Sequence, residues 1–138
     1  MSKVIGFNNA MFWTDDTGIL YCEFSNNDTS IKLEQKNVDQ YINAIKTLCE
    51  GKPMPFLIDL KDISSTFSIS AAKLVTNNPE LVKLRISESY LVNTLGMKLW
   101  LTCYKRLYGR ITPFATFNDI NSAKEYCLEA KNNFYKSA

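Results

Sequence analysis

The segment Pro55-Phe56-Leu57-Ile58-Asp59-Leu60 restricts the fold more than any other stretch of the chain. It is a nearly continuous apolar run, too short for a buried helix, and it reads as a central strand covered on both faces. Just before it, Val38, Tyr41, Ile42, Ile45, Leu48 and Cys49 recur at helical spacing. Asp39, Gln40, Asn43, Lys46, Thr47 and Glu50 take the opposite, wet face. Asn37, with Gln40 three residues on, reads as a capping box that opens this helix. Gly51 and Pro53 end it. A strand buried on both sides beside a one-sided helix demands layered packing of helices on a sheet.

The flanking segments supply the other strands and helices. Ala10–Thr14 and Ile19–Phe24 read as an antiparallel hairpin about the turn cluster Asp15-Asp16-Thr17-Gly18, and a short third strand is expected at 29–33. After the polar stretch 61–70, a second helix is centred on 71–75, and Pro79 starts a further helical piece carrying Leu81, Val82 and Leu84. Tyr90-Leu91-Val92 reads as a strand. Thr94 then caps a third helix from Leu95 to Tyr108, closed by Gly109. Pro113–Phe117 is the last strand. Asn118 or Asp119 caps a final helix with Ile120, Ala123, Cys127 and Ala130 inward, and the tail after Asn132 is expected to fray. The order predicts an α/β fold: a mixed β-sheet with an N-terminal antiparallel hairpin followed by βα units. With no linker or repeat, residues 1–138 read as one domain, its core at about 9–132.

Composition narrows the chemistry. The 138 residues are 46% hydrophobic with a net charge of +2, values that favour a globular chain and give no global field for nucleic acid. No apolar run approaches the roughly 18 residues of a membrane span, and residues 1–6 lack a signal-peptide core, so a cytoplasmic location is expected. The chain has no histidine. That removes Ser-His-Asp and Cys-His nucleophiles, imidazole acid–base work and His-ligated zinc. Cys22, Cys49, Cys103 and Cys127 are widely spaced without a Cys-x-x-Cys pair, and read as reduced, mostly buried thiols. Neither a cofactor nor a metal is expected, and the chain reads as a non-enzyme.

Phe56-Leu57-Ile58-Asp59-Leu60-Lys61-Asp62-Ile63, followed by a serine-rich loop and a helix, resembles the centre of a STAS domain, the fold of bacterial anti-sigma factor antagonists of the SpoIIAA type. The stretch from Ile111 to Ala123 resembles that family's last strand and helix. The likeness covers about residues 9–132 and is similar more narrowly to small stand-alone bacterial STAS-like proteins of unknown function. In signalling members, a serine within Asp-Ser-Ser-Gly at the start of the second helix is phosphorylated by a partner kinase. The resemblance places Ser68 nearest that acceptor, with Ser64 and Ser65 close by; here Phe67 stands where the family has Asp, and the Gly is missing. At this position Ser68 reads either as a simple N-cap or as part of an anion site, because a helix N-terminus presents free N–H groups and a positive dipole end.

Three other groups of residues stand out. Asp59 and Asp62 close the central strand, where they read as turn formers or as a pair of Mg²⁺ ligands. Lys98, Lys105, Arg106 and Arg110 read as a solvated basic face of the third helix or as a phosphate-binding stripe. That helix also carries two apolar stripes, Leu99-Cys103-Leu107 and Trp100-Tyr104-Tyr108, the second widened by Met97 and Leu101. Together they span roughly 200°, where a sheet-facing helix needs about 100°. The first stripe is expected on the sheet, and the second against another part of the chain, an unknown protein partner, a second copy in a homodimer, or an apolar ligand. Two functional readings follow: a STAS-like interaction or regulatory module, and a carrier holding an apolar ligand or lipid between the third helix and the sheet. If Ser68 is the cap of the second helix, Ser68→Ala lowers stability by about 1 kcal/mol in urea unfolding; an unchanged transition removes that role.

Overall fold

The computed structural model describes residues 3–7, 10–24, 35–60, 78–108 and 112–137. Six strands form one sheet in the order of the sequence: β1 (Lys3–Gly6), β2 (Ala10–Thr14), β3 (Leu20–Phe24), β4 (Met54–Asp59), β5 (Arg85–Leu91) and β6 (Phe114–Phe117). β1, β2 and β3 pair antiparallel, while β3–β4, β4–β5 and β5–β6 pair in parallel. The described helices are α1 (Gln35–Cys49), α2 (Pro79–Leu84), α3 (Leu95–Tyr108) and α4 (Ile120–Ser137). The sheet is the expected mixed one, with β4 at its centre and Phe56, Leu57 and Ile58 buried.

Strand alternation sends side chains to two separate cores. On one face Phe12, Leu20, Cys22, Phe24, Phe56, Ile58 and Tyr90 pack against Tyr41, Ala44, Ile45 and Leu48 of α1, Leu81 of α2 and Leu101 of α3. Tyr41 is the hub, its ring 5.3 Å from Phe7 and 5.5 Å from Phe12. On the other face Ile19, Tyr21, Leu57 and Leu91 meet Ala123 and Cys127 of α4, with Trp13 stacked on Tyr21 at 5.1 Å.

The local signals mostly hold. Gly18 takes a φ of +78°, closing the hairpin turn in which Asp15 Oδ1 accepts the Thr17 N–H at 3.0 Å. Asn78 accepts from Glu80 N at 2.9 Å and caps α2, with Pro79 at its first position. Asp119 accepts from Ser122 N at 2.9 Å at the start of α4.

Other expectations are corrected. α1 opens at Gln35, so Asn37 lies inside the helix instead of capping it. β1 was absent from the sequence reading, because a short edge strand held by its ladder to β2 needs no buried alternation; Val4 is 62% exposed. α4 does not fray after Asn132. Its last turns are tied down where Tyr135 donates its hydroxyl to the Pro53 carbonyl at 2.6 Å and Lys131 Nζ donates to the Thr17 carbonyl at 2.8 Å. Ile120, expected inward, is exposed. The strand expected at 29–33 and the helix expected at 71–75 lie outside the described residues.

All four cysteines are free; Cys22, Cys49 and Cys127 are buried and Cys103 is exposed, against the expectation that it faces the sheet. Burial pushes the Cys49 thiol up to about 12 and the Cys127 thiol up to about 11. A native thiol titration at pH 8 is therefore expected to consume one equivalent of reagent rapidly, at Cys103, and the other three only after denaturation. Rapid native reaction of more than one thiol contradicts this arrangement.

Candidate functional site

The polar strand β5 organises the site. Its sequence, Arg-Ile-Ser-Glu-Ser-Tyr-Leu, is buried at every position. Only Tyr90 and Leu91 of this strand were legible as one, because a pattern that scores apolar residues passes over buried polar ones that have partners. Between the pairs Met54↔Arg85 and Phe56↔Glu88, the single residue Pro55 stands opposite two residues of β5. Proline has no N–H to give the ladder, and it sits where the pairing bulges. In a regular strand, residues three apart point to opposite faces. The bulge turns Arg85 and Glu88 to the same face, with Arg85 Nε 3.3 Å from Glu88 Oε1.

Lys105 of α3 completes the cluster. Its Nζ donates to Glu88 Oε1 at 2.7 Å, and the Tyr90 hydroxyl donates to Glu88 Oε2. Glu88 and Lys105 are 0% and 1% exposed. Aromatic faces flank the two cations: Lys105 Nζ lies 5.8 Å from the Phe114 ring centre, and Arg85 Cζ lies 6.0 Å from that of Phe56. Burial pushes the Glu88 carboxyl above the usual carboxylate range, outweighing the opposing pull of Arg85 and Lys105. On the other face, Ser89 Oγ lies 3.2 Å from the Ala123 carbonyl oxygen, to which it donates, and 3.1 Å from Cys127 Sγ.

This cluster fixes the rotation of α3. Thr94 caps the helix as expected, accepting from Met97 N at 3.1 Å. Met97, Leu101 and Lys105, four residues apart, then face the sheet, with Leu101 3% exposed. Four residues of the two expected stripes are placed differently from the sequence reading. Leu99 and Cys103, expected against the sheet, point outward, and Met97 and Leu101, expected on the contact surface, pack into the core. Lys105, expected on a solvated basic face, is buried, while Lys98 and Arg106 are exposed. On this row Lys105 meets Glu88, and Met97 and Leu101 meet the core. The outward row consists of Leu95, 70% exposed, Leu99, 56% exposed, and Cys103.

The side chains of Trp100, Tyr104, Leu107 and Tyr108 lie outside the described residues, as do Ser64, Ser65, Ser68, Asp62 and Arg110. Asp59 is half-buried at the end of β4. Among the described residues, no group of three His, Cys, Asp or Glu side chains is arranged to hold a metal, and no helix is long and apolar enough to cross a membrane. A concavity with no signature in the sequence pattern runs beside α4. It is a groove of about 650 Å³ lined by Ile86, Pro113, Tyr126, Ala130 and Phe134, with Glu129, Asn133 and Ser137 among its polar residues.

Residues 12–131 match the profile of DUF7793, a domain of unknown function. The chain belongs to that family. Its fold is SpoIIAA-like: it is similar to the crystal structure of an uncharacterised protein of the DUF3478 family with a SpoIIAA-like fold from Shewanella loihica PV-4, with a TM-score of 0.56, 13% sequence identity and 92% of each chain covered. No curated protein matches the chain. The STAS resemblance read from the segments at 56–63 and 111–123 thus agrees with the three-dimensional fold.

Replacing Lys105 by Met removes one of the cations that lower the Glu88 pKa, so the folded-state value moves further above the usual 4.5. An acid whose pKa is raised on folding contributes stability below its unfolded value and loses it as pH rises through the folded value. Lys105→Met is therefore expected to cost roughly 3–5 kcal/mol at pH 8 and progressively less toward pH 5. Adding Glu88→Gln is expected to flatten that slope and restore most of the loss at pH 8. Urea unfolding across this range checks both, and a pH-independent cost for Lys105→Met contradicts the assignment.

Proposed function

We propose that the chain is a non-enzymatic protein-interaction or regulatory module whose docking element is the outer face of α3. The supporting observation is the row Leu95-Leu99-Cys103. One helix lying on one sheet has a single stripe to bury, and Met97, Leu101 and Lys105 fill it. Two leucines and a thiol in line on the opposite side form a contiguous apolar surface, where a solvated helix face carries polar side chains. The absence of histidine from the sequence and the occupation of the buried charged groups by one another support a binding role over a catalytic one. Affinity capture from lysate of the source cells, with the wild type and Leu99→Glu compared side by side, tests the proposal. A protein recovered in stoichiometric amount by the wild type and lost with a folded Leu99→Glu variant supports it. Recovery that is indifferent to Leu99, or no recovery from a monomeric wild type, refutes it.

The groove beside α4 supports a second reading as a carrier of an apolar ligand. It has the size of a small-molecule site and a largely apolar lining. On this reading the ligand lies in the groove, not between α3 and the sheet, where Leu101 and Lys105 already pack. Native mass spectrometry of freshly purified protein is expected to show a retained small molecule that Ala130→Trp displaces; bare protein in both samples rules the carrier out.

A further inference from the structure

We infer that the partner surface for α3 is an acidic amphipathic helix; the inference rests on the interaction role proposed above. The fourteen residues of α3 contain no Asp or Glu. Lys98 and Arg106 are both exposed, and Thr102 stands half-buried between them, its hydroxyl donating to the Lys98 carbonyl at 2.8 Å. At about 100° per residue, the row 98-102-106 runs beside the row 95-99-103 along the same outer side. The exposed face is therefore an apolar ridge flanked on one side by Lys98 and Arg106, with no carboxylate on the helix to offset them.

The ridge selects the shape of its partner. Leu95 to Cys103 covers eight steps of about 1.5 Å, or roughly 12 Å, with one residue every 4 positions. Such a ridge fits the groove between the corresponding rows of a second helix, the commonest way two helices pack. The flank selects its charge. Carboxylates beside the partner's apolar row would meet Lys98 and Arg106 at the rim, where charge complementarity governs encounter rate and register. A second copy of this chain is disfavoured on the same ground, because its α3 has no Asp or Glu to meet Lys98 and Arg106. A membrane surface is disfavoured by area: two leucines and one thiol offer little apolar surface to a bilayer interface.

The experiment uses the full chain and two synthetic helical peptides with one shared leucine row, one carrying Glu and the other Lys at the flanking positions. Fluorescence anisotropy is expected to show the Glu peptide binding the wild type about tenfold more tightly than the Lys peptide at low salt, with the difference shrinking as salt is added. Lys98→Glu with Arg106→Glu is expected to reverse that preference, and Leu99→Glu to abolish binding of both peptides, each variant retaining its circular dichroism spectrum. Equal binding of the two peptides by the wild type, with Leu99 still required, overturns the acidic partner and leaves the docking face standing. Binding that ignores Leu99→Glu, or no binding of either peptide, overturns the inference. Leu99-dependent sedimentation with phosphatidylserine vesicles in place of peptide binding assigns the face to an anionic membrane and likewise overturns it.

Discussion

The ion pair between Glu88 and Lys105 is the contact on which the placement of α3 depends. An isolated carboxylate is costly in a protein interior, and so is an isolated ammonium. Bringing the two within 2.7 Å, with the Tyr90 hydroxyl on the second carboxylate oxygen and Arg85 beside the first, lets both remain inside. Burial still disfavours the ionised carboxyl on balance, as its raised pKa shows. Such a cluster is costly to break, because removing one partner leaves the other charge buried alone. Here it decides which side of α3 faces the sheet, because other rotations of the helix would leave Glu88 without Lys105.

The bulge opposite Pro55 is the backbone counterpart of that cluster. It adds one residue to β5 and so brings Arg85 to the face that Glu88 occupies. The same strand sends Ser89 to the other face, against the Ala123 carbonyl and Cys127 of α4. β5 therefore ties α3 and α4 to opposite sides of the sheet through polar groups, while β4 supplies apolar side chains to both cores. The candidate docking row on α3 and the groove beside α4 lie on opposite faces of this common support.

Much of the architecture was legible because it follows from local rules. The run at 55–60 suits a covered strand, and the stripe of Val38, Tyr41, Ile45 and Leu48 recurs at helical spacing. Gly18, Pro79, Thr94 and Asp119 marked turns and helix starts through their own backbone and side-chain chemistry. The candidate site was only half legible. That α3 carries more apolar surface than one sheet contact requires was readable from its spacing. That Leu99 and Cys103 stay outside was not, because Lys105 on the opposite side pairs with a carboxylate on another element, 17 residues away.

The sequence by itself determined most of the alternation of elements, the mixed α/β class and the absence of imidazole chemistry, since each of these is a property of residues close in the chain or of composition alone. Only the tertiary structure decided that the Arg85–Ser89 segment is a buried strand, that Lys105 points inward, and that Leu95, Leu99 and Cys103 are left in solvent. The reason is physical. A polar side chain is stable in the interior only when its partners are present, and partners brought together by a bulge and a helix crossing cannot be read from hydrophobic periodicity.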